Sequence, residues 1–338
     1  MGSCYSTDVE RASDLAPGNI PLEGKRDMTF REGARMQPGR VSVGGSGSGG
    51  KGGKIALGGG AGGLVILVLA LLFGGDPGSI LGQLSGSTDN SGQYDSGTGT
   101  LENCETGAQA NAQVDCRVNF TVGSLDTVWE SELGPQTGVA YVQPEVSLFS
   151  GSISTGCGNA TSAVGPFYCP ADSTAYFDTS FFQVLVDRFG SSGGPLAQEY
   201  VVAHEVGHHI QNQLGDIGRA QADPQGAESG AVRVELQADC YAGIWAHHAA
   251  VIPDPNTGEP FLEPLTDTDI RDALSAASSV GDDRIQQASS GRVNPEGWTH
   301  GSSDQRQAWF LTGYRTGQVS ACDTFSARNL DSPPALPR

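Results

Sequence analysis

Lysine is almost missing from this sequence. Lys25, Lys51 and Lys54 are the only three in 338 residues, and none follows residue 54. Beyond that point 11 arginines face 32 Asp and Glu, whereas residues 1–54 hold 8 basic and 6 acidic side chains. So acidic a body lacks the positive footprint that phosphate backbones require, which excludes a nucleic-acid partner. It favours solubility and attracts divalent cations weakly. Histidine is scarce too, six in all, so a cluster of histidines carries information. There is no internal repeat and no C-x-x-C pair.

Glycine, by contrast, is abundant. The 49 glycines are too many for an even globular spread and concentrate in loose stretches. The low-complexity run 43–54 ends a tail read as disordered. Next come 19 uncharged residues, Ile55 to Phe73, close to the roughly 20 needed to span a bilayer. Lys51 and Lys54 precede this run and Asp76 follows it, so the positive-inside rule places the N-terminus in the cytoplasm. No small-residue cleavage site follows, which reads as an uncleaved anchor. Residues 74–100 are rich in Gly, Ser and Asp and read as a flexible stalk. The expected organisation is a disordered cytoplasmic tail (1–54), a transmembrane helix (55–74), a linker (75–100) and a folded domain (101–338). The expected location is the cell membrane, single-pass, with the domain extracytoplasmic. Met28 is an alternative start to Met1.

Six cysteines lie beyond the apolar run: Cys104, Cys116, Cys157, Cys169, Cys240 and Cys322. In an oxidising compartment these suggest three disulfides, with fifteen formal pairings. Nearest-neighbour spacing favours Cys104–Cys116 and Cys157–Cys169, which leaves Cys240 with Cys322. Thiolate zinc ligation competes poorly with this, because no pair has the favoured spacing.

The folded part reads as a mostly helical α+β domain with a small sheet. Helices are expected over 114–125 and 128–133, then 181–189 after the capping cluster Asp178-Thr179-Ser180. Further helices are expected over 196–214 (stopped by Gly215), 229–250, 267–277 and 303–316. Thr174 to Asp178 is rich in strand formers.

The 196–214 helix contains His204-Glu205-Val206-Gly207-His208, an H-E-x-x-H run. Positions i and i+4 share one helix face, so both imidazoles can reach one zinc ion, with Glu205 beside them as proton acceptor for water. A catalytic zinc needs a third protein ligand and an open fourth position. The next helix supplies Glu235 as that ligand, and Asp239 one turn on can take the free ring N–H of His204. His300 is the candidate donor to a developing oxyanion, with Tyr241 as alternative. His209, His247 and His248 read as structural. Arg306 reads as holding the C-terminal helix by pairing with an acidic residue. The bland alternative for the H-E-x-x-H helix is a solvated His-rich face.

HEVGHHIQ, then ELQADCYAG, then THGSSDQR at Thr299–Arg306, together with GPFYCPADSTAYFDTSFF at Gly165–Phe182, resemble the neutral zinc metallopeptidase family of bacterial envelopes. The resemblance covers about residue 101 to the end, with the glycine-rich anchor. It implies a zincin-like fold of the gluzincin type with Glu235 as third ligand, and it supports a start at Met28. The expected activity is zinc-dependent endopeptidase, acting on peptide or protein. The Thr174–Asp178 strand is the expected edge for pairing with substrate. Two other classes remain open: a non-catalytic envelope binding protein with a structural metal, and a metal-dependent amidase acting on cell-wall peptide.

Overall fold

The computed structural model describes residues 28–36, 40–44, 99–101 and 103–334. Its body is a mostly helical α+β assembly with a five-stranded and a two-stranded sheet. In chain order the strands are β1 (Ser42–Val43), β2 (Gly99–Thr100), β3 (Glu145–Leu148), β4 (Ser152–Thr155), β5 (Gly158–Thr161), β6 (Phe167–Cys169) and β7 (Thr174–Phe177). The helices are α1 (Gly107–Ala112), α2 (Val114–Thr137), α3 (Phe181–Asp187), α4 (Pro195–Leu214), α5 (Arg219–Ala222), α6 (Gly230–Ala249), α7 (Asp267–Ser279), α8 (Asp282–Ser290) and α9 (Ser303–Thr316).

Local chemistry sets the ends of the helices that matter most. Pro195 opens α4, where its missing N–H costs nothing, and Gly215 closes it at φ +85°. The Ser229 side chain accepts from Val232 N at the start of α6. Thr266 with Asp269 and Ser302 with Gln305 form capping boxes on α7 and α9. The expected 114–125 and 128–133 segments are one 24-residue helix, α2.

Two close approaches bring α4, α6 and α9 together. A Cβ on Gly313 of α9 would stand 1.9 Å from the Cys240 carbonyl of α6, and one on Gly243 would stand 2.1 Å from that of Phe310. Only glycine at both positions lets these two helices cross so closely. Gly207, inside the H-E-x-x-H run, faces Ala238 of α6, whose carbonyl would lie 3.0 Å from an added Cβ. The core around this layer includes the fully buried Trp129, Trp245 and Trp309.

The larger sheet has the order β2-β1-β3-β7-β6. β7 pairs parallel with β3 and antiparallel with β6. It is therefore an interior strand, and the expectation that Thr174–Asp178 offers a free edge is corrected. Beside the helices the terminal strand is β6. The three disulfides are Cys104–Cys116, Cys157–Cys169 and Cys240–Cys322, as spacing suggested.

The tail expected to be disordered is corrected over 28–36 and 40–44. Phe30 is buried edge-on against Phe120, and its backbone exchanges hydrogen bonds with the Asn111 side chain. The Thr29 hydroxyl donates to the buried carboxylate of Glu199. Burial raises that carboxyl to about 7, only partly offset by Thr29 and Arg117. Arg40 forks onto Asp126, with Nε at 2.6 Å, and donates to the Pro144 carbonyl. β1 then joins β3 in parallel, and β2, at the end of the expected linker, pairs with β1. Single long-range anchors in a stretch without hydrophobic periodicity hold this arm, so no local pattern announces it.

Among the described residues no helix is long and apolar enough to cross a membrane, and Ile55–Phe73 lies outside them. The arm before that run and the body after it fold together.

Candidate metal centre

His204 and His208 stand one turn apart on α4, with ring centroids 4.8 Å apart. Glu235 reaches them from α6. One carboxylate oxygen lies 3.2 Å from His204 Nε2 and the other 3.5 Å from His208 Nε2. The three side chains can offer ligand atoms all within 4.8 Å of one another.

Each imidazole is fixed from behind. His204 Nδ1 lies 2.8 Å from Asp239 Oδ1, and His208 Nδ1 lies 2.8 Å from Gln211 Oε1. With Nδ1 held on these oxygens, each Nε2 is the ring nitrogen turned toward Glu235. Two ligands about 2.0–2.1 Å from a tetrahedral zinc lie about 3.3 Å apart. The observed 3.2 and 3.5 Å match that edge length. The donor set, two imidazoles and one carboxylate, is a catalytic zinc set, so these residues fit the ion.

The surroundings favour a cation between the triad members. Burial pulls the His204 pKa down, but Asp239 and then Glu235 more than reverse this and lift it to about 10. Burial raises the Asp239 carboxyl, and Arg306 and His204 overcome it to hold the group at about 2. Asp239 is the hub of this support. Arg306 donates to both its oxygens, from Nε at 2.8 Å and Nη2 at 2.9 Å, and the Tyr200 hydroxyl also donates to it. Arg306 therefore pairs with an acidic residue as expected, and that residue is the one orienting His204. Tyr200 was not singled out from the sequence. Its position four residues before His204 put it on the same helix face, and that was the available signal.

Glu205 is buried and lines a cavity of about 400 Å³ that also exposes His204, His208 and Glu235. Burial pushes its carboxyl above the ordinary range, partly offset by His208 and His204. His300 lines the same cavity. Its turn is clamped by Asp282, whose Oδ2 accepts from the backbone N–H of Thr299, His300 and Gly301. Gly301 sits at φ +89°, which the turn requires. Burial pulls the His300 pKa down, but Glu235 and Asp282 raise it overall.

Tyr241 does not reach the site. It is buried edge-on against Trp129, and it is corrected from alternative oxyanion donor to core residue. His209 is also structural, held between the Tyr168 hydroxyl and the Val142 carbonyl. His247 and His248 bond to the carbonyls of Tyr314 and Gly317.

The sequence profile of a family described as "Putative neutral zinc metallopeptidase" matches residues 27–325. An uncharacterized protein of Mycobacterium tuberculosis, Rv2575, is 57% identical over 263 residues, covering 77% of this chain and 86% of that protein. The uncharacterized protein YpfJ of Escherichia coli is 37% identical over 308 residues, covering 90% of this chain and 98% of that protein. No solved structure matches.

Proposed function

The chain belongs to the neutral zinc metallopeptidase family, and from that premise we propose that it is an endopeptidase whose zinc is held by His204, His208 and Glu235. The observation that carries this reading is the convergence of Glu235 on both Nε2 atoms from a separate helix. The ligand set and its two-helix origin are what support a zincin-like arrangement of the gluzincin type.

A bound zinc would supply a Lewis acid for the scissile carbonyl and lower the pKa of water toward about 7. Glu205 accepts the proton of the attacking water and returns it to the leaving amine; a carboxyl raised by burial is suited to both roles. His300, held by Asp282, donates to the developing oxyanion. Asp239, with Arg306 and Tyr200, keeps the His204 ring in one tautomer and one orientation. The extended substrate pairs with the outer edge of β6. That strand ends the sheet and sits over α4, where the Tyr168 hydroxyl meets His209 and Asn212. Three described ligand residues leave a fourth position for water, which favours catalysis over a structural metal.

The activity is tested by digesting a mixed peptide library with the purified chain, before and after chelation. Cleavage that stops with the chelator and returns with one equivalent of zinc is the expected result. Cleavage indifferent to the chelator removes the zinc role.

Location outside the cytoplasm is part of the proposal, supported by the three disulfides. The docked arm then lies on the same side as the body. Glu32 is exposed on the arm. In intact cells a Glu32→Cys chain should take up more membrane-impermeant maleimide than the parent chain. Equal labelling that rises only on lysis would return the arm to the cytoplasm.

A further inference from the structure

The cavity beside the triad has two unlike sides. Glu205, Glu235 and His300 line one part. Apolar side chains make up most of the remaining wall: Phe181, Val184 and Leu185 from α3, Val201 from α4, Val280 at the end of α7 and Ile285 from α8. Two basic side chains also line it: Arg188, which is exposed, and Arg306, which is held on Asp239. At about 400 Å³ the space lies within the range of sites that enclose a ligand group.

The chamber also lies under the proposed substrate edge. Gly165 to Tyr168, the approach to β6 and its first residues, line it. Gly165 lies at φ +72°, and a Cβ there would stand 3.0 Å from the Phe181 ring, so this segment rests directly on the apolar wall. An extended peptide on the β6 edge points alternate side chains to one face. Next to the reacting carbonyl, one of them faces the chamber.

We propose that this chamber receives a large apolar side chain, aromatic or branched aliphatic, adjacent to the scissile bond of an extended peptide. The inference rests on the peptidase reading above and adds the substrate class. An acidic side chain at that position is disfavoured by the apolar wall. An apolar pocket discriminates by about 10–200-fold per methylene gained or lost.

The test uses the full chain loaded with zinc and peptides that differ at one position: Phe, Leu, Ala, Asp or Lys. Two quantities are read, kcat/KM with the wild-type chain and binding to the Glu205→Gln chain by fluorescence anisotropy. Phe and Leu should exceed Ala, Asp and Lys by at least about 10-fold in both. Val184→Trp, which fills the chamber, should shift the preference toward Ala while zinc content stays at the wild-type level. Ile285→Ala, which enlarges it, should shift the preference toward Trp. A flat profile, or an acidic or basic preference, in a chain that cleaves overturns the inference and leaves the peptidase reading intact. If the zinc-loaded chain cleaves no peptide, the peptidase reading fails, and the binding series decides the chamber alone: apolar preference upholds it, equal binding overturns it.

Discussion

Glu205→Gln should keep one zinc per chain and lose peptide hydrolysis. The substitution preserves size and hydrogen-bonding reach but removes, among the described residues, the one carboxylate that faces the cavity without belonging to the triad. General base catalysis contributes on the order of 10²–10⁴-fold, so kcat should fall by at least that range. KM should change little, because the amide fills the same space. Zinc content by mass spectrometry under native conditions separates this result from metal loss. A Glu205→Gln chain that retains zinc and hydrolyses at the parent rate would remove Glu205 from the reaction.

Glu235→Ala should act on the metal itself. Losing a direct ligand leaves two imidazoles, which is short of the three protein ligands of a catalytic zinc site. Asp239→Asn is the graded companion. It weakens the support behind His204 without deleting a ligand, and losses of that kind cost about 10–100-fold in metal affinity or activity. Competition with a fluorescent zinc chelator should therefore rank the chains as parent, then Asp239→Asn, then Glu235→Ala, with activity following the same order. Equal zinc affinity for the parent and Glu235→Ala chains would mean that the carboxylate is a neighbour of the site and not a member of it.

Much of this site could be read before the fold was known, because its parts are local. His204 and His208 share a face by helical spacing, and Glu235 and Asp239 repeat that spacing one helix later. The stop at Gly215 is nearest-neighbour chemistry and was legible in the sequence; the caps at Pro195, Ser229 and Ser302 are of the same local kind. What stayed hidden depends on partners far along the chain. Arg306 meets Asp239 across 67 residues, and its pairing was foreseeable while its partner was not. β6 and β7 look alike as short runs of strand formers, and only their pairing order makes one an edge and the other interior.

The arm is the sharpest case. Phe30, Val41 and Arg40 sit among Gly, Arg and Ser with no period of 2 or 3.6. Composition therefore reads the stretch as a tail. Specific long-range partners nonetheless hold it: Phe120 and Asn111 for Phe30, Asp126 and Pro144 for Arg40, and β3 for the strand that Ser42 opens. The chamber shows the same limit. Its walls come from α3, α4, α7 and α8, and no single segment carries the sign of a pocket.

The most direct measurement is zinc-edge X-ray absorption on the purified full chain. Two imidazole nitrogens and a carboxylate oxygen at about 2.0–2.2 Å, with one further light ligand and one zinc per chain, are the outcome this account requires. A sulfur shell at about 2.3 Å, or a purified chain that binds no zinc at neutral pH, would contradict it.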